Sequence, residues 1–239
     1  MISILLPSYN EAENLKAILP RLHETLGGIE HEILVIDTVE PMDDTEKVCL
    51  GNDAKYIPRE GGNTYGDAVR TGFSKSSGDF SLIMDADGSH DPKYILEMLA
   101  RQEETGCDLV IGSRYCKGGQ TDNGIILKAM SWSLNYTYRI CFGLKVKDVS
   151  DSFRLYRTEQ IKELDLESSN FDIVEEILIK LNLYNKGFRI EEVPIVFNKR
   201  VAGESKRKTL QFIKSYLKTL FKMLGFKRRY KKQMKAKTD

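Results

Sequence analysis

Ser81-Leu82-Ile83-Met84-Asp85-Ala86-Asp87-Gly88-Ser89-His90-Asp91-Pro92 is the stretch from which the fold can be read. Phe80 and Leu82 to Met84 make an apolar run of the length of one buried strand. The run ends in an Asp-x-Asp pair, a glycine, and Asp91-Pro92, which has the form of an N-cap followed by a helix-starting proline. Alternate side chains of a strand share a face, so Asp85 and Asp87 are expected on the same side. In an open α/β sheet, ligands sit just outside the carboxyl ends of the strands. Two carboxylates there suit a hard divalent cation, Mg²⁺ or Mn²⁺, whose remaining positions go to phosphates and water. Taken alone, the same residues more often make a plain acidic turn after a strand, and the surrounding chain has to decide.

Outward from this stretch the same alternation repeats. Residues 2–6 read as a strand ending at Pro7-Ser8-Tyr9-Asn10-Glu11, followed by a helical pattern through Leu15, Ile18, Leu19 and Leu22. Residues 32–37 form a second apolar strand that delivers Asp37 at its end, before a short helix over 42–50. A third strand over 54–57 stops at Pro58, and Gly61-Gly62-Asn63 leads into a helix over 65–74. A helix over 92–103 and a strand over 108–112 complete a βα alternation of the doubly wound kind. Pro7, Tyr9, Glu11, Asp37, Asp85 and Asp87 thus converge on one sheet edge, where a nucleotide would fit. The chain contains neither a P-loop nor a Gly-x-Gly-x-x-Gly turn after the first strand, so metal and later basic groups would have to neutralise a diphosphate.

Basic candidates come in the second half: Gly112-Ser113-Arg114-Tyr115, the turn from Asp148 to Phe153-Arg154, and Arg200-Val201-Ala202-Gly203-Glu204-Ser205-Lys206. Between them a helix over 125–141 carries Trp132, read as core. A helix over 171–184 carries Glu175 and Glu176, of which at least one is expected on the solvated surface.

The formal net charge of +1 conceals a split: residues 199–239 hold 15 Lys/Arg against two acids, and residues 1–198 hold 21 against 33. A basic tail on an acidic body points to an anionic surface as partner. Four scattered cysteines and three histidines make a zinc cluster improbable and fit reduced thiols. With no export signal and no apolar run near the roughly 20 residues needed to span a bilayer, a cytoplasmic protein is expected.

Taken together, and in this order, the motifs Pro7-Ser8-Tyr9-Asn10-Glu11, Asp85-Ala86-Asp87, Gly112-Ser113-Arg114-Tyr115, Asp148 to Arg154 and Arg200-x-x-Gly-x-Ser-Lys206 resemble the family 2 glycosyltransferases with a GT-A fold. Within that family they resemble the dolichyl- or polyprenyl-phosphate hexose synthases. The resemblance spans about residues 1–206. It implies a Rossmann-like, open, mostly parallel sheet flanked by helices (1–206), with 207–239 as a basic amphipathic helical tail. It also implies that Pro7, Tyr9, Glu11 and Asp37 hold the nucleoside, that Asp85 lies by the ribose or sugar, and that Asp87 with Ser89 binds the metal. Arg114, Arg154, Arg200 and Lys206 would cage the phosphates. The chain departs from the family pattern after Asp37, at Ser89 where glutamine is usual, and at Asp151-Ser152 where Ser-Gly is usual.

The expected reaction moves a hexose, mannose or glucose, from a GDP- or UDP-sugar to a polyprenyl phosphate by metal-assisted inverting displacement. A phosphate monoester is already anionic near neutral pH and needs a cationic cradle rather than a general base. The tail carries Leu210, Ile213, Leu217, Leu220, Phe221 and Leu224 at helical spacing, with Lys214, Lys218 and Lys222 four apart. Such a helix lies naturally in an anionic membrane interface, on the inner face, although the stripe is equally able to pack on the domain. Nucleic acid is not expected as a partner, since no base-reading motif is present. Two alternatives remain open: the same donor chemistry with a glycolipid or polysaccharide hydroxyl, and a non-catalytic nucleotide-sugar-binding or scaffold protein.

Overall fold

A computed structural model describes residues 1–122, 124–198 and 209–236. The strands are β1 (Ile2–Pro7), β2 (His31–Asp37), β3 (Lys55–Pro58), β4 (Phe80–Ile83), β5 (Leu109–Ser113), β6 (Gln120–Thr121), β7 (Arg154–Arg157), β8 (Ile190–Pro194) and β9 (Val196–Phe197). The helices are α1 (Ala12–Leu26), α2 (Thr45–Leu50), α3 (Tyr65–Lys75), α4 (Tyr94–Thr105), α5 (Ile125–Phe142), α6 (Thr158–Lys162), α7 (Ile173–Tyr184) and α8 (Thr209–Ala236). Seven strands form one sheet in the order β3-β2-β1-β4-β7-β5-β8, and β6 pairs with β9 apart from it. Every pairing in the large sheet is parallel except those of β7, which runs antiparallel between β4 and β5. This is the expected mostly parallel α/β sheet, with one strand inserted from late in the chain.

Strand alternation divides the core in two. Ile2, Ile4, Leu6, Ile33, Val35 and Leu82 face α1, α2 and α4, where Leu15, Leu19, Leu22, Ile95 and Met98 are buried. Leu5, Leu34, Ile36 and Ile83 face the other way, toward Val69, Phe73, Ile177 and Leu178. The central strands therefore read as continuous apolar runs, as a sheet covered on both faces requires. Helix α4 begins at Tyr94, later than expected, because residues 91–93 form a turn first. Asp91 Oδ1 accepts the Lys93 N–H at 3.1 Å, and the Asp91 carbonyl accepts that of Tyr94 at 3.3 Å. Gly66 lets the start of α3 approach the 163–172 loop; a Cβ there would lie 2.1 Å from the Ser168 carbonyl oxygen.

Helix α8 packs on α5 and α7, with Tyr216, Leu220 and Met223 buried in the second core. Tyr138 donates its hydroxyl to the Tyr216 carbonyl at 3.1 Å, and Tyr216 donates its own to Glu175 Oε1 at 3.0 Å. Thr219 bonds Asp172, and Lys222 pairs with Glu167 at 2.9 Å. The basic tail thus begins as an integral layer of the domain along this stretch.

Near the amino ends of β1, β2 and β3, Glu32 joins three segments. Its carboxylate accepts from Ser3 Oγ at 2.6 Å, from Ser77 N and Oγ at 2.7 Å each, and from Lys55 Nζ at 2.8 Å. Burial alone would push this carboxyl up; Lys55 and the two serines outweigh it and hold it at about 2 against an ordinary 4.5. A depressed carboxyl pKa gives stability that is complete above the ordinary value and is lost as pH falls through the folded one. Glu32→Gln is therefore expected to cost about 1–2 kcal/mol in urea denaturation near neutral pH. The difference from the unsubstituted chain should shrink steadily as the pH is lowered from about 4.5 toward 2.

Candidate active site

The chain winds from β1 through β2 to β3 on one side, then returns to place β4 on the other side of β1. Neighbouring connections therefore diverge at the carboxyl ends of β1 and β4, and an open α/β sheet binds ligands in the crevice this leaves. Tyr9, Asp37 and Asp85 all follow strand ends at this point. β2, which ends at Asp37, and β4, which Asp85 follows by two residues, lie two positions apart in the sheet, roughly 10 Å at the usual strand spacing.

Asp37 is buried, and neither of its carboxylate oxygens has a hydrogen-bond partner within range among the described residues. Burial raises its pKa, Asp43 adds to the rise, and Arg59 opposes it. Arg59, which sequence reasoning missed, directly follows β3 and is itself buried. It donates to the carbonyls of Asn63 at 2.8 Å and Thr64 at 3.2 Å, and also to that of Ser8. Its guanidinium lies 5.9 Å from the Tyr9 ring centroid. The only sequence signal was a basic residue placed at a strand end. Pro7 closes β1, and Glu11 accepts from Asn14 Nδ2 just ahead of α1. Tyr9 is half-exposed beside them.

The Asp-x-Asp segment is a turn rather than a strand extension, since β4 stops at Ile83. Alternation along the strand therefore does not place the two carboxylates; the turn does, with Gly88 at a φ of +80°. Asp87 is buried, and its Oδ1 accepts the Ser89 N–H at 3.0 Å and the Ser89 hydroxyl at 2.6 Å. Asp85 Oδ1 accepts the Ser152 hydroxyl at 2.9 Å. Among the described residues no cluster of three His, Cys, Asp or Glu side chains encloses a cation site. Two hard carboxylates in a turn nevertheless fit Mg²⁺ or Mn²⁺ when substrate phosphates and water complete the shell.

The basic residues lie elsewhere than expected. Arg114 is buried, with Nε and Nη2 each 2.8 Å from the two oxygens of Asp148, a bidentate pair. Nη2 also donates to Ser150 Oγ at 2.8 Å, and Nε lies 3.0 Å from Asp151 Oδ2. The two carboxylates outweigh burial and raise the Arg114 pKa well above its ordinary value. Arg154 is fully buried and donates to the carbonyls of Asp151, Val174 and Val149 at 2.8, 2.9 and 2.6 Å. Both guanidiniums brace the 148–153 loop behind Asp85 instead of lining an open anion cage. Arg200 and Lys206 lie outside the described residues.

Glu175 and Glu176 are both fully buried, contrary to a solvated helix surface. Helix α7 has the sheet on one side and α8 on the other, so even its polar positions are enclosed. Burial pushes the Glu175 carboxyl up to about 8. Glu176 pairs with Lys180 at 2.8 Å and accepts the Ser168 N–H at 2.7 Å. Trp132 departs in the opposite sense: it is 62% exposed, and Ile125 is 86% exposed on the same helix.

Residues 3–165 match the family described as Glycosyl transferase family 2. A dolichol-phosphate mannosyltransferase of Pyrococcus furiosus is 33% identical over 230 residues, 93% of this chain and 63% of its own length. The chain thus spans less than two thirds of that relative. A polyprenol monophosphomannose synthase of Mycolicibacterium smegmatis is 32% identical, covering 85% of this chain and 79% of its own. The glucosyl-3-phosphoglycerate synthase of Mycobacterium tuberculosis, solved with Mn²⁺, UDP and phosphoglyceric acid, superposes with a TM-score of 0.73 at 19% identity. That alignment covers 94% of this chain and 78% of the other. A likeness at that identity establishes the GT-A fold.

Two predictions follow from the geometry. Arg114→Ala is expected to destabilise the fold by about 3–5 kcal/mol in chemical denaturation, because it removes the bidentate partner of the buried Asp148 and the guanidinium near Asp151. An arginine that served only an open anion site would cost little. Asp37→Asn is expected to raise the melting temperature near neutral pH by about 2–4 °C. A raised carboxyl pKa means the folded state bears the charge at a cost that is complete above the folded value. The gain should therefore vanish below the ordinary 3.8.

Proposed function

The chain belongs to glycosyl transferase family 2, and from that membership we propose that it transfers a hexose from a nucleoside-diphosphate sugar to a polyprenyl phosphate. The observation that carries the proposal is that Asp85 and Asp87 stand across one sheet crevice from a buried Asp37 whose carboxylate makes no hydrogen bond within range among the described residues. Asp37, with Arg59 and Tyr9 beside it, offers acceptor oxygens and a stacking face to a nucleoside. Asp87, with Ser89 alongside, would hold Mg²⁺ or Mn²⁺ on the diphosphate, and Asp85 would lie by the sugar. The metal, when bound, stabilises negative charge on the departing diphosphate. An acceptor phosphate oxygen attacks the anomeric carbon from the opposite face, and the bond to the nucleoside diphosphate breaks with inversion.

The acceptor class is supported by what the two glutamates do. A hydroxyl acceptor needs a positioned carboxylate base. Glu175 and Glu176 are committed to Tyr216 and to Lys180 and Ser168 inside the domain, which leaves neither poised as that base. With Arg114 and Arg154 turned inward, Arg200 and Lys206 are left as the cations for the acceptor phosphate. The similarity to two relatives named for polyprenol- and dolichol-phosphate mannose transfer supports mannose as the hexose. The base of the donor, guanine or uracil, is the first variable to test.

A lipid acceptor also accounts for the outer face of α5 and α8. Ile125, Ile126, Trp132, Tyr136 and Ile140 of α5 and Leu217 and Phe221 of α8 are exposed. Neither helix contains an acidic residue, and together they carry lysines and arginines from Lys128 to Lys235. Between them lies a groove of about 280 Å³ lined by Met130, Leu134, Tyr138, Tyr216, Leu217 and Leu220. Among the described residues no helix is long and apolar enough to cross a membrane. We read this face as resting on the anionic inner surface of a bilayer, with apolar side chains in the interface and lysines at the headgroups.

Incubating the full chain with a panel of GDP- and UDP-hexoses, a short polyprenyl phosphate and Mn²⁺ should yield an acid-labile, phosphate-linked glycolipid. Asp87→Ala should lower its formation by about two orders of magnitude or more. An acid-stable product would instead indicate a hydroxyl acceptor. In flotation with phosphatidylglycerol vesicles, the pair Trp132→Ser and Phe221→Ser should cut binding by roughly tenfold or more, since each large side chain contributes about 1.5–3 kcal/mol on burial. Unchanged flotation would remove the membrane-face reading.

A further inference from the structure

Asp85 is gripped from two directions. On the side-chain side, Ser152 donates its hydroxyl to Asp85 Oδ1 at 2.9 Å. On the backbone side, the Asp85 N–H donates to His90 Nδ1 at 3.1 Å. A ring nitrogen that accepts an N–H carries no proton, so the His90 proton resides on Nε2, which lies 3.1 Å from Asp151 Oδ1. That same Asp151 oxygen accepts the Phe153 N–H at 2.8 Å, and Phe153 stacks on the His90 ring at 4.8 Å. Asp151 and Ser152 are adjacent in sequence, and each reaches the same aspartate by its own route.

The position of this dipeptide is itself over-determined. The Asp151 carbonyl accepts from Arg154 Nε at 2.8 Å, and Asp151 Oδ2 lies 3.0 Å from Arg114 Nε. The proton of that nitrogen is already directed at Asp148, so the second contact is an attraction between charges. Ser152 therefore projects from a segment fixed by two buried guanidiniums, and the residue is only 6% exposed. A hydroxyl held so rigidly can restrict a carboxylate to one rotamer. Preorganisation of this kind lowers the cost of ordering the group when ligand arrives.

We propose that Ser152 is a positioning residue for the donor site, holding the Asp85 carboxylate in its binding geometry while the His90–Asp151 pair fixes the Asp85 backbone. The proposal rests on the donor site described above. It assigns the local departure at Asp151-Ser152 a role behind the sugar-nucleotide.

The test is isothermal titration of UDP and of GDP into the full chain with saturating Mn²⁺, alongside melting curves. Ser152→Ala is expected to weaken binding of the preferred nucleotide by about five- to tenfold, the scale of one lost hydrogen bond. Ser152→Thr, which keeps the hydroxyl, should bind within about twofold of the unsubstituted chain on the same scale. In an Asp85→Ala background the Ser152→Ala change should cost nothing further, because a positioning residue acts only through the group it positions. Affinity unchanged in Ser152→Ala, or an equal loss in the Asp85→Ala background, would overturn the role of Ser152 and leave the donor site standing. An unsubstituted chain that bound neither nucleotide would remove the donor site, and the positioning role with it.

Discussion

A guanidinium buried between two strand ends cannot be left without counter-charge, and much of the site's geometry follows from how Arg114 is satisfied. Taking an ion out of water costs several kcal/mol even after relaxation. Here the cost is offset by a bidentate pair with Asp148 and a second carboxylate at Asp151. Those acids belong to the loop that enters β7, while Arg114 follows β5. The ion pair thus fixes where the loop must lie, and the loop in turn brings Asp151 to His90 and Ser152 to Asp85. Three strand ends, β4, β5 and β7, are locked at one level by one buried charge and its partners. Phe197 lies against the same centre, its ring 5.5 Å from the Arg114 guanidinium and edge-on to His90.

What the amino-acid sequence disclosed, it disclosed through local period and punctuation. Apolar runs of four to six residues, each followed by a turn and a polar group, were enough to place Asp37, Asp85 and Asp87 at one edge. The direction of a basic side chain has no such local signature. Arg154 could be recognised as an arginine after a polar turn. Its three carbonyl partners, however, come from residues 149, 151 and 174, brought together only because β7 inserts between β4 and β5. Arg59 was invisible for the same reason: its partners sit on the loops after β1 and β3, and strand pairing makes them neighbours. The Asp-x-Asp turn was found, but its shape depends on Gly88 and on Ser89 bonding back to Asp87, which strand alternation does not describe.

The two errors about helix faces have a common physical origin. A period of 3.6 residues reports which side of a helix is apolar, and then assumes that apolar means inside. Helix α7 is enclosed by the sheet and by α8, so its acids needed internal partners and found them in Tyr216, Lys180 and Ser168. Among the described residues nothing covers the outer face of α5, so Trp132 and Tyr136, stacked at 5.4 Å, stand exposed. Enclosed carboxyls on one helix and exposed aromatics on the next are what results when one layer of the domain is covered by a further helix and the other is not.

Charge then decides how such a face would meet a bilayer. The body carries a net negative charge over residues 1–198, and an anionic membrane repels it. The lysines and arginines of α8 sit on the helix that packs against α5, the helix that carries the exposed aromatics. Repulsion on the far side and attraction on the near side both favour one orientation, with each cation near the surface contributing about 1 kcal/mol. Part of the basic charge is diverted inward, since Lys222 pairs with Glu167 and Lys227 donates to the Cys141 carbonyl. These lysines fasten the helix to the domain. The helix so fastened backs α7, whose Val174 carbonyl accepts from Arg154 behind the loop that holds Asp85.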